Sequence, residues 1–438
     1  MRGRGFALAL VVLVPVFAGC AGTGAGPSTE NPIEPCGQLD TSFEPTTEHN
    51  PRLRFETTNG TMTIVVYGQQ VPFTAGHVNR LAQQEDTWED TRFHQVFPDE
   101  AVFGGDPRSS NDDRDAWGSG GYHFNTVDEH HQFLRHDEPG IVSLLSPQPN
   151  GAGSQFVITL SPSPSLDDRN PVFGKVVEGL DTARELSYTP TDDRNRPLYG
   201  AHLENVTWID PPEPAAPPPE LSAYGYDCTE VAEPGDTAEH LIAVRNTGPS
   251  ILDGTMETSL DDVEGWGATI TNAEQVVVSS GQTVVYGLNV TVPEDAETGT
   301  EKTFDVTFRG EESSTSLELT TRVGELGQPA VDQDKVHLRY IGVLEDGRAF
   351  DTTETIYVDE ASLTWFKDPP AQPQAIPLSP SPETLNKTQP GDLIQRARLG
   401  ETVVGFIAPE DAYGRQAYGE NNLGGRLLVF QVQVTSAR

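Results

Sequence analysis

Three stretches of the 438-residue chain carry side chains that could do chemistry. The first is FHQVFPDEAVFGGDP, residues 93–107. It has an apolar strand face, then a charged turn, then two glycines, the pattern of a strand followed by a turn. Gln95 lies next to His94 within it, and Glu100 interrupts a run otherwise suited to burial. The second is DEHHQFLRHDEPG, with Asp128, Glu129, His130, His131 and His136. These are metal-ligand types, but the stretch reads better as a solvated acidic loop. The third is GAGSQ, where no second glycine follows Ser154 to build a nucleophile elbow, so acyl transfer is excluded. No Cys/His spacing resembles a zinc site, and nothing calls for a metal or other cofactor.

The elements that must position these groups are mostly strands. LRFETTNGTMTIVVYG places two β-prone runs around Asn59-Gly60, a hairpin signal. VPFTAGHVNRLAQQ predicts a helix opened by Pro72, with Phe73, Val78, Leu81 and Ala82 near one another at helical spacing. EGLDTARELSY, residues 178–188, predicts a second short helix. Pro-rich DPPEPAAPPPE is a stiff spacer, and GELGQPAVDQ is a weaker break. The expected order is a signal segment 1–20, a flexible tether 21–51, a body at 52–210, a linker 211–220, a body at 221–325 and a body at 334–438. The middle body shows only alternating short strands and turns, which predicts a β-sandwich resembling immunoglobulin-like modules and acting as a spacer. The third is mainly β, with one helical candidate near GDLIQRARL.

Composition bounds the partners. Sixty-six acidic and 28 basic residues give a net charge of -38, which repels nucleic acid and anionic membrane surfaces. Only five of the basic residues are lysines, an acidic, lysine-poor balance expected of a halophile's protein. At molar salt the screening length falls to about 3 Å and self-repulsion largely vanishes. The amino terminus has the features of an address: a basic MRGRG, an apolar run from Phe6 to Gly19 too short to span a membrane, then Cys20. Phe17-Ala18-Gly19-Cys20 resembles a lipobox, with Cys20 as the lipidated residue. Cys36 and Cys228 then remain, either as a pair outside the cell or as two free thiols. Asn59, Asn205, Asn289 and Asn386 head N-x-T sequons.

With FHQVFPDEAVFGGDP, GSQFVIT and VFGKVVEG in order, residues 52–210 resemble the cyclophilin family of peptidyl-prolyl cis/trans isomerases. The resemblance implies an eight-stranded barrel with two capping helices. It also implies a cleft in which an arginine hydrogen-bonds the prolyl amide. That arginine's position is Gln95; the pocket-lining Phe and Met fall at Glu100 and Ala101, a further Phe at Val157, a Trp at Ser165 and a His at Asn170. Phe93, His94, Gln155, Phe156 and Leu166 match. The resemblance therefore implies substrate contacts from Phe93, His94, Gln95, Gln155, Phe156, Leu166 and Asn170, with weak or absent turnover. A charge-assisted hydrogen bond contributes roughly 1.5–3 kcal/mol against about 0.5–1.5 for a neutral one.

DKVHLRYIGVLEDGRAFDTT, RLGETVVGFIAPEDAYG and GGRLLVFQVQV give residues 334–438 a resemblance to the FKBP family, the other main prolyl isomerase fold. This implies a twisted sheet on one short helix and a dry aromatic pocket of Tyr340, Phe350, Asp351, Tyr413 and Phe430. The family's Val-Ile pair and Trp are missing from LNKTQPGDLIQRA; Trp365 or Phe366 is the candidate to line the pocket from elsewhere, and Leu423 the candidate to replace an Ile of the family's last loop. The expected protein is mainly β: an exported, lipid-anchored prolyl isomerase acting on proline-containing unfolded or exported polypeptides, without a cofactor. Its main activity is expected in the third body. The alternative is a non-catalytic peptide-binding chaperone or surface protein.

Overall fold

The computed structural model describes residues 33–40, 43–83, 87–121, 124–211, 216–260, 263–271, 275–329, 335–352, 375–377, 393–394, 397–414 and 423–437. They are mainly β. The first body is one nine-stranded sheet. From edge to edge it runs Thr91–Arg92, His202–Ile209, Arg52–Thr57, Gly60–Val66, Val172–Glu178, Ile141–Leu144, Phe156–Thr159, Ala101–Gly104 and Gln95–Phe97. The two edge strands are consecutive in sequence, separated only by Phe93 and His94. That short segment therefore closes the sheet into a barrel. The expected eight strands become nine because the closing strand is split there: Phe93 N–H turns to the Ala201 carbonyl and Val96 N–H to that of Asn195.

The hairpin at Asn59-Gly60 forms, with Gly60 at φ +138. Helices Pro72–Gln83 and Leu180–Ser187 add Val78, Leu81, Ala183 and Leu186 to the barrel core. Phe73, expected on the apolar face of the first helix, is instead 70% exposed, because the buried stripe is carried by Thr74, Ala75, His77, Val78 and Leu81.

The middle body is a sandwich of two five-stranded sheets over a shared core. It is more than a spacer. Tyr226, Leu241 and Val285 on its outer face share an apolar cluster with Ile341, Val343 and Val429 of the third body. The expected tether is also corrected where residues 33–40 and 43–51 are described. Cys36–Gly37 pairs with Leu221–Gly225, Cys36 is disulfide-bonded to Cys228, Leu39 is buried, and Phe43 stacks near Phe133. A strand pairing, a covalent bond and apolar burial together dock what composition alone suggested was free.

In the third body, Lys335–Leu344 and Leu428–Ala437 are central, flanked by Ala349–Thr352 and Thr402–Ile407; Ala375–Pro377 pairs with the start of the first. Of the expected helix, Leu393, Ile394 and 397–399 are described; Leu393 and Ile394 are helical and buried, and Arg398 and Leu399 make isolated bridges instead. Trp365, Phe366, Asn386 and Cys20 lie outside the described residues.

Candidate active site

Antiparallel register builds the floor of the first-body cleft. Gln95 pairs with Phe103, Phe103 with Val157, and Val157 with Ser143. One row along, Phe97 pairs with Ala101, and Ala101 with Thr159. Residues directly opposite one another share a face. The alternate residues Val96, Val102, Ile158 and Val142 fill the core. The set from Gln95 to Ser143 therefore lies on the barrel's outer face, apolar in the middle and polar at both ends. Phe103, Ser143 and Thr159 were not singled out in the sequence; period-two alternation from Gln95 and Ala101 is the signal that could have found Phe103.

The two glycines of GGDP have separate steric reasons. A Cβ at Gly104 would lie 2.7 Å from the Phe156 ring. Gly105 is at φ +78, and a Cβ there would lie 2.2 Å from the Ser154 carbonyl oxygen. That carbonyl accepts Trp88 Nε1–H at 2.8 Å, and Ser154 Oγ donates to the Gly105 carbonyl at 2.8 Å. Ser154 is a structural brace.

Buried Asp106 then organises one wall. It accepts the backbone N–H groups of Arg108 at 2.8 Å, Gly118 at 2.6 Å and Gly120 at 3.2 Å. Gln155 Nε2 donates to the carbonyls of Gly118 at 3.1 Å and Gly120 at 2.5 Å. The opposite wall carries half-buried Leu166 and buried Asn170, whose Oδ1 accepts Ser146 N–H at 3.1 Å.

Phe93, His94 and Phe156 do not line this cleft as expected. Phe93 and Phe156 are fully buried in the barrel core, 6.1 Å apart edge to face. Phe156 pairs with Gly104 and Leu144, on the core side of the alternation. His94 is buried beneath the Gly118 loop, and its Nδ1 has no partner among the described residues. Burial pulls its pKa down to about 4, against the nearby Asp106 charge, so the ring is neutral at pH 7. At the position implied for the arginine, Gln95 Nε2 donates to the Arg194 carbonyl at 3.4 Å. Glu100 is exposed and Ala101 buried. The floor presents an amide where a guanidinium was implied.

The acidic, histidine-rich stretch is packed, not solvated. Glu129 Oε2 accepts the Thr74 N–H at 2.9 Å, capping the first helix; burial pushes its carboxyl up to about 7 against hydrogen bonds from Thr74 and Phe73. Asp128 Oδ2 accepts Ser146 Oγ and Asn150 N–H. His131 Nε2 lies 2.9 Å from the Ser280 carbonyl of the middle body. His136 Nδ1 lies 2.8 Å from Asp167 Oδ1 and its Nε2 2.9 Å from Ser143 Oγ. These side chains act as internal hydrogen-bonding partners because neighbouring elements cover the loop.

In the third body, Phe350 and Phe430 pack edge to face with centroids 5.4 Å apart. Gly342 permits this, since a Cβ there would lie 2.8 Å from each ring. Tyr340 Oη donates to Asp351 Oδ2 at 2.9 Å. Burial, then the charge and hydrogen bond of Asp351, push the Tyr340 hydroxyl above its usual range. Tyr413 is 60% exposed, beyond the short turn Pro409–Asp411, and Leu423 is buried. The structure thus brings Tyr340, Phe350, Asp351 and Phe430 onto two adjoining strands and the strand paired with them.

A barrel-like sheet with two helices defines a class, and residues 52–208 match the family described as cyclophilin type peptidyl-prolyl cis-trans isomerase/CLD. Over 142 residues the chain is 37% identical to peptidyl-prolyl cis-trans isomerase-like 1 of Neurospora crassa, covering 32% of this chain and 84% of that protein. It is 32% identical over 163 residues to a peptidyl-prolyl cis-trans isomerase of Arabidopsis thaliana, covering 36% of this chain and 94% of the other. A solved cyclophilin type isomerase of Cryptosporidium parvum aligns at 27% identity over 37% of this chain and 99% of its own, with a TM-score of 0.34. The chain belongs to the cyclophilin-type peptidyl-prolyl cis-trans isomerase family.

Proposed function

We propose that the protein is an extracytoplasmic prolyl isomerase that assists the folding of exported polypeptides, with turnover centred on the third body and peptide holding on the cyclophilin cleft. Rotation about a prolyl amide must overcome a barrier of about 18–20 kcal/mol set by resonance, so a catalyst must favour the twisted amide over the planar one. The first cleft offers Gln95 for that task, and its side chain is already engaged by the Arg194 carbonyl. The observation that carries the reading is in the third body: Tyr340 hydrogen-bonded to Asp351 beside the Phe350–Phe430 pair. An aromatic wall with one fixed polar group is what an FKBP-like pocket requires. Such a site hydrates the polar planar amide poorly and so favours its twisted form.

The Cys36–Cys228 disulfide supports an oxidising compartment, and the Cys20 context supports a lipid anchor on the outer face of the cytoplasmic membrane. Uncatalysed prolyl isomerisation takes tens of seconds or more, slow enough to limit folding of exported chains. The test is a protease-coupled prolyl isomerisation assay on the full chain in concentrated KCl. Asp351→Asn should remove most of the activity; unchanged activity in this variant would refute the assignment to the third body. Activity that survives there but disappears on Val157→Trp, which fills the first cleft, would move turnover to the cyclophilin body.

A further inference from the structure

The wall that carries Leu166 and Asn170 is held from the far end of the chain. Pro164–Leu166 forms one short turn, and Asp167 and Asp168 follow directly. Asp167 faces the barrel, where it accepts His136, which in turn contacts Ser143 at the end of the cleft floor. Asp168 faces the third body. Its carboxylate accepts Arg135 NH1 and NH2 at 3.0 and 2.8 Å, and Arg348 NH2 at 3.2 Å. Arg348 is held in turn by Asp346, through Nε at 3.0 Å and NH2 at 2.7 Å. The side chains of Asp168 and Arg348 are only 3% and 9% exposed.

Two features single out this contact. Asp168 sits at φ +57, in the left-handed region that L-residues enter at a cost and keep only when their surroundings hold them there. Its guanidinium partners come from two bodies, and a planar guanidinium fixes the direction of approach as an apolar contact would not.

We propose that Arg348 is a positioning residue for the cyclophilin cleft. Acting through Asp168, it sets the place of the Leu166–Asn170 wall and thereby the cleft's affinity for a prolyl peptide. The proposal rests on the reading of that cleft as a peptide site. It makes the third body part of the first body's binding apparatus, in addition to any chemistry of its own.

The test uses the full chain and the peptide Ala-Ala-Pro-Phe-amide, followed by NMR at the amides of Leu166 and Asn170. Arg348→Met should weaken peptide binding about fivefold to tenfold, the scale of coupling carried through packed networks, and should speed hydrogen exchange at the Asn170 amide. Arg348→Lys, which keeps the charge, should recover most of the affinity. Asp168→Asn keeps the shape and tolerates the left-handed backbone, and it decides the matter if Arg348→Met does not fold. It should give at least the same loss, because it also weakens the Arg135 pair, and the double variant should be no worse than Asp168→Asn alone. Wild-type affinity and exchange in the Arg348→Met or Asp168→Asn chain, or fully additive losses, would overturn the proposal. Absence of any peptide response in the wild type would instead sink the peptide-site reading, with the exchange measurement still deciding whether Arg348 positions the wall.

Discussion

Gln95 donates its side-chain amide to the backbone carbonyl of Arg194, 99 residues away, at 3.4 Å. The strand Gln95–Phe97 is thereby tied to the loop that follows the second helix, and the amide is turned away from any charge-assisted role. Gln95→Arg should restore a guanidinium on the cleft floor. If the apolar floor still seats proline, the variant should raise the isomerase rate of an Asp351→Asn chain by about one to two decades, the difference between a charge-assisted and a neutral hydrogen bond made in the transition state. The protease-coupled assay reads this directly, and an unchanged rate would show that the missing arginine is not what limits this cleft.

Tyr340 and Asp351 make the complementary case. Tyr340→Phe deletes one hydroxyl and leaves the aromatic wall in place. Since Asp351 is exposed, its hydrogen bond to Tyr340 is partly screened, and a loss of about threefold to tenfold in kcat/KM is expected. The Phe350–Phe430 packing should survive, so the thermal midpoint should move little.

Reduction of the Cys36–Cys228 bond, or a Cys36→Ser/Cys228→Ser double variant, should release residues 33–40 from the sandwich edge. The bond closes a sequence separation of 192 residues. A stability loss of about 2–5 kcal/mol is expected on denaturant titration, together with rapid amide exchange at the Cys228 N–H that is bonded to the Glu34 carbonyl.

Acid should weaken the joint between the first and third bodies. Burial alone would raise the Asp346 carboxyl, but Arg348 and Arg426 hold it down at about 2, below its usual 3.8. Asp168 shifts the same way: burial is outweighed by the Arg135 hydrogen bond and the Arg348 charge. A carboxyl with a depressed folded pKa contributes fully above its unfolded value, and that contribution disappears as pH falls through the folded one. The stability gap between wild type and Asp346→Asn should therefore be wide at about pH 5 and narrow steadily toward about pH 2. A gap independent of pH would contradict the ionised assignment.

A net charge of -38 leads to a salt prediction. Screening shortens from about 10 Å at 0.1 M to about 3 Å at 1 M, so the thermal midpoint should rise with KCl over that range. The KCl-dependent rise should exceed any change across the same range in a variant whose exposed Asp and Glu are partly replaced by Asn and Gln.

The sequence by itself determined the mainly β class, the Asn59-Gly60 hairpin, the extent of the first two helices to within a few residues, and the identity of the cyclophilin body. These features rest on local physics: turn geometry, period-two and helical alternation, and short motifs whose glycines answer to steric needs within the same sheet. What only the tertiary structure decided depends on contacts between residues far apart in sequence. Phe93 and Phe156 carry the resemblance but serve the core, because strand register, which a motif does not state, sends them inward. His131 and His136 look like a solvated acidic loop until the Ser280 carbonyl and Ser143 cover them. The segment around Cys36 looks like a tether until its partner strand, 185 residues on, is supplied. Arg348 meets Asp168 across 180 residues. No local pattern encodes such a pairing, because the free energy of a buried ion pair depends on which opposite charge the fold brings within about 3 Å and on how completely it excludes water there.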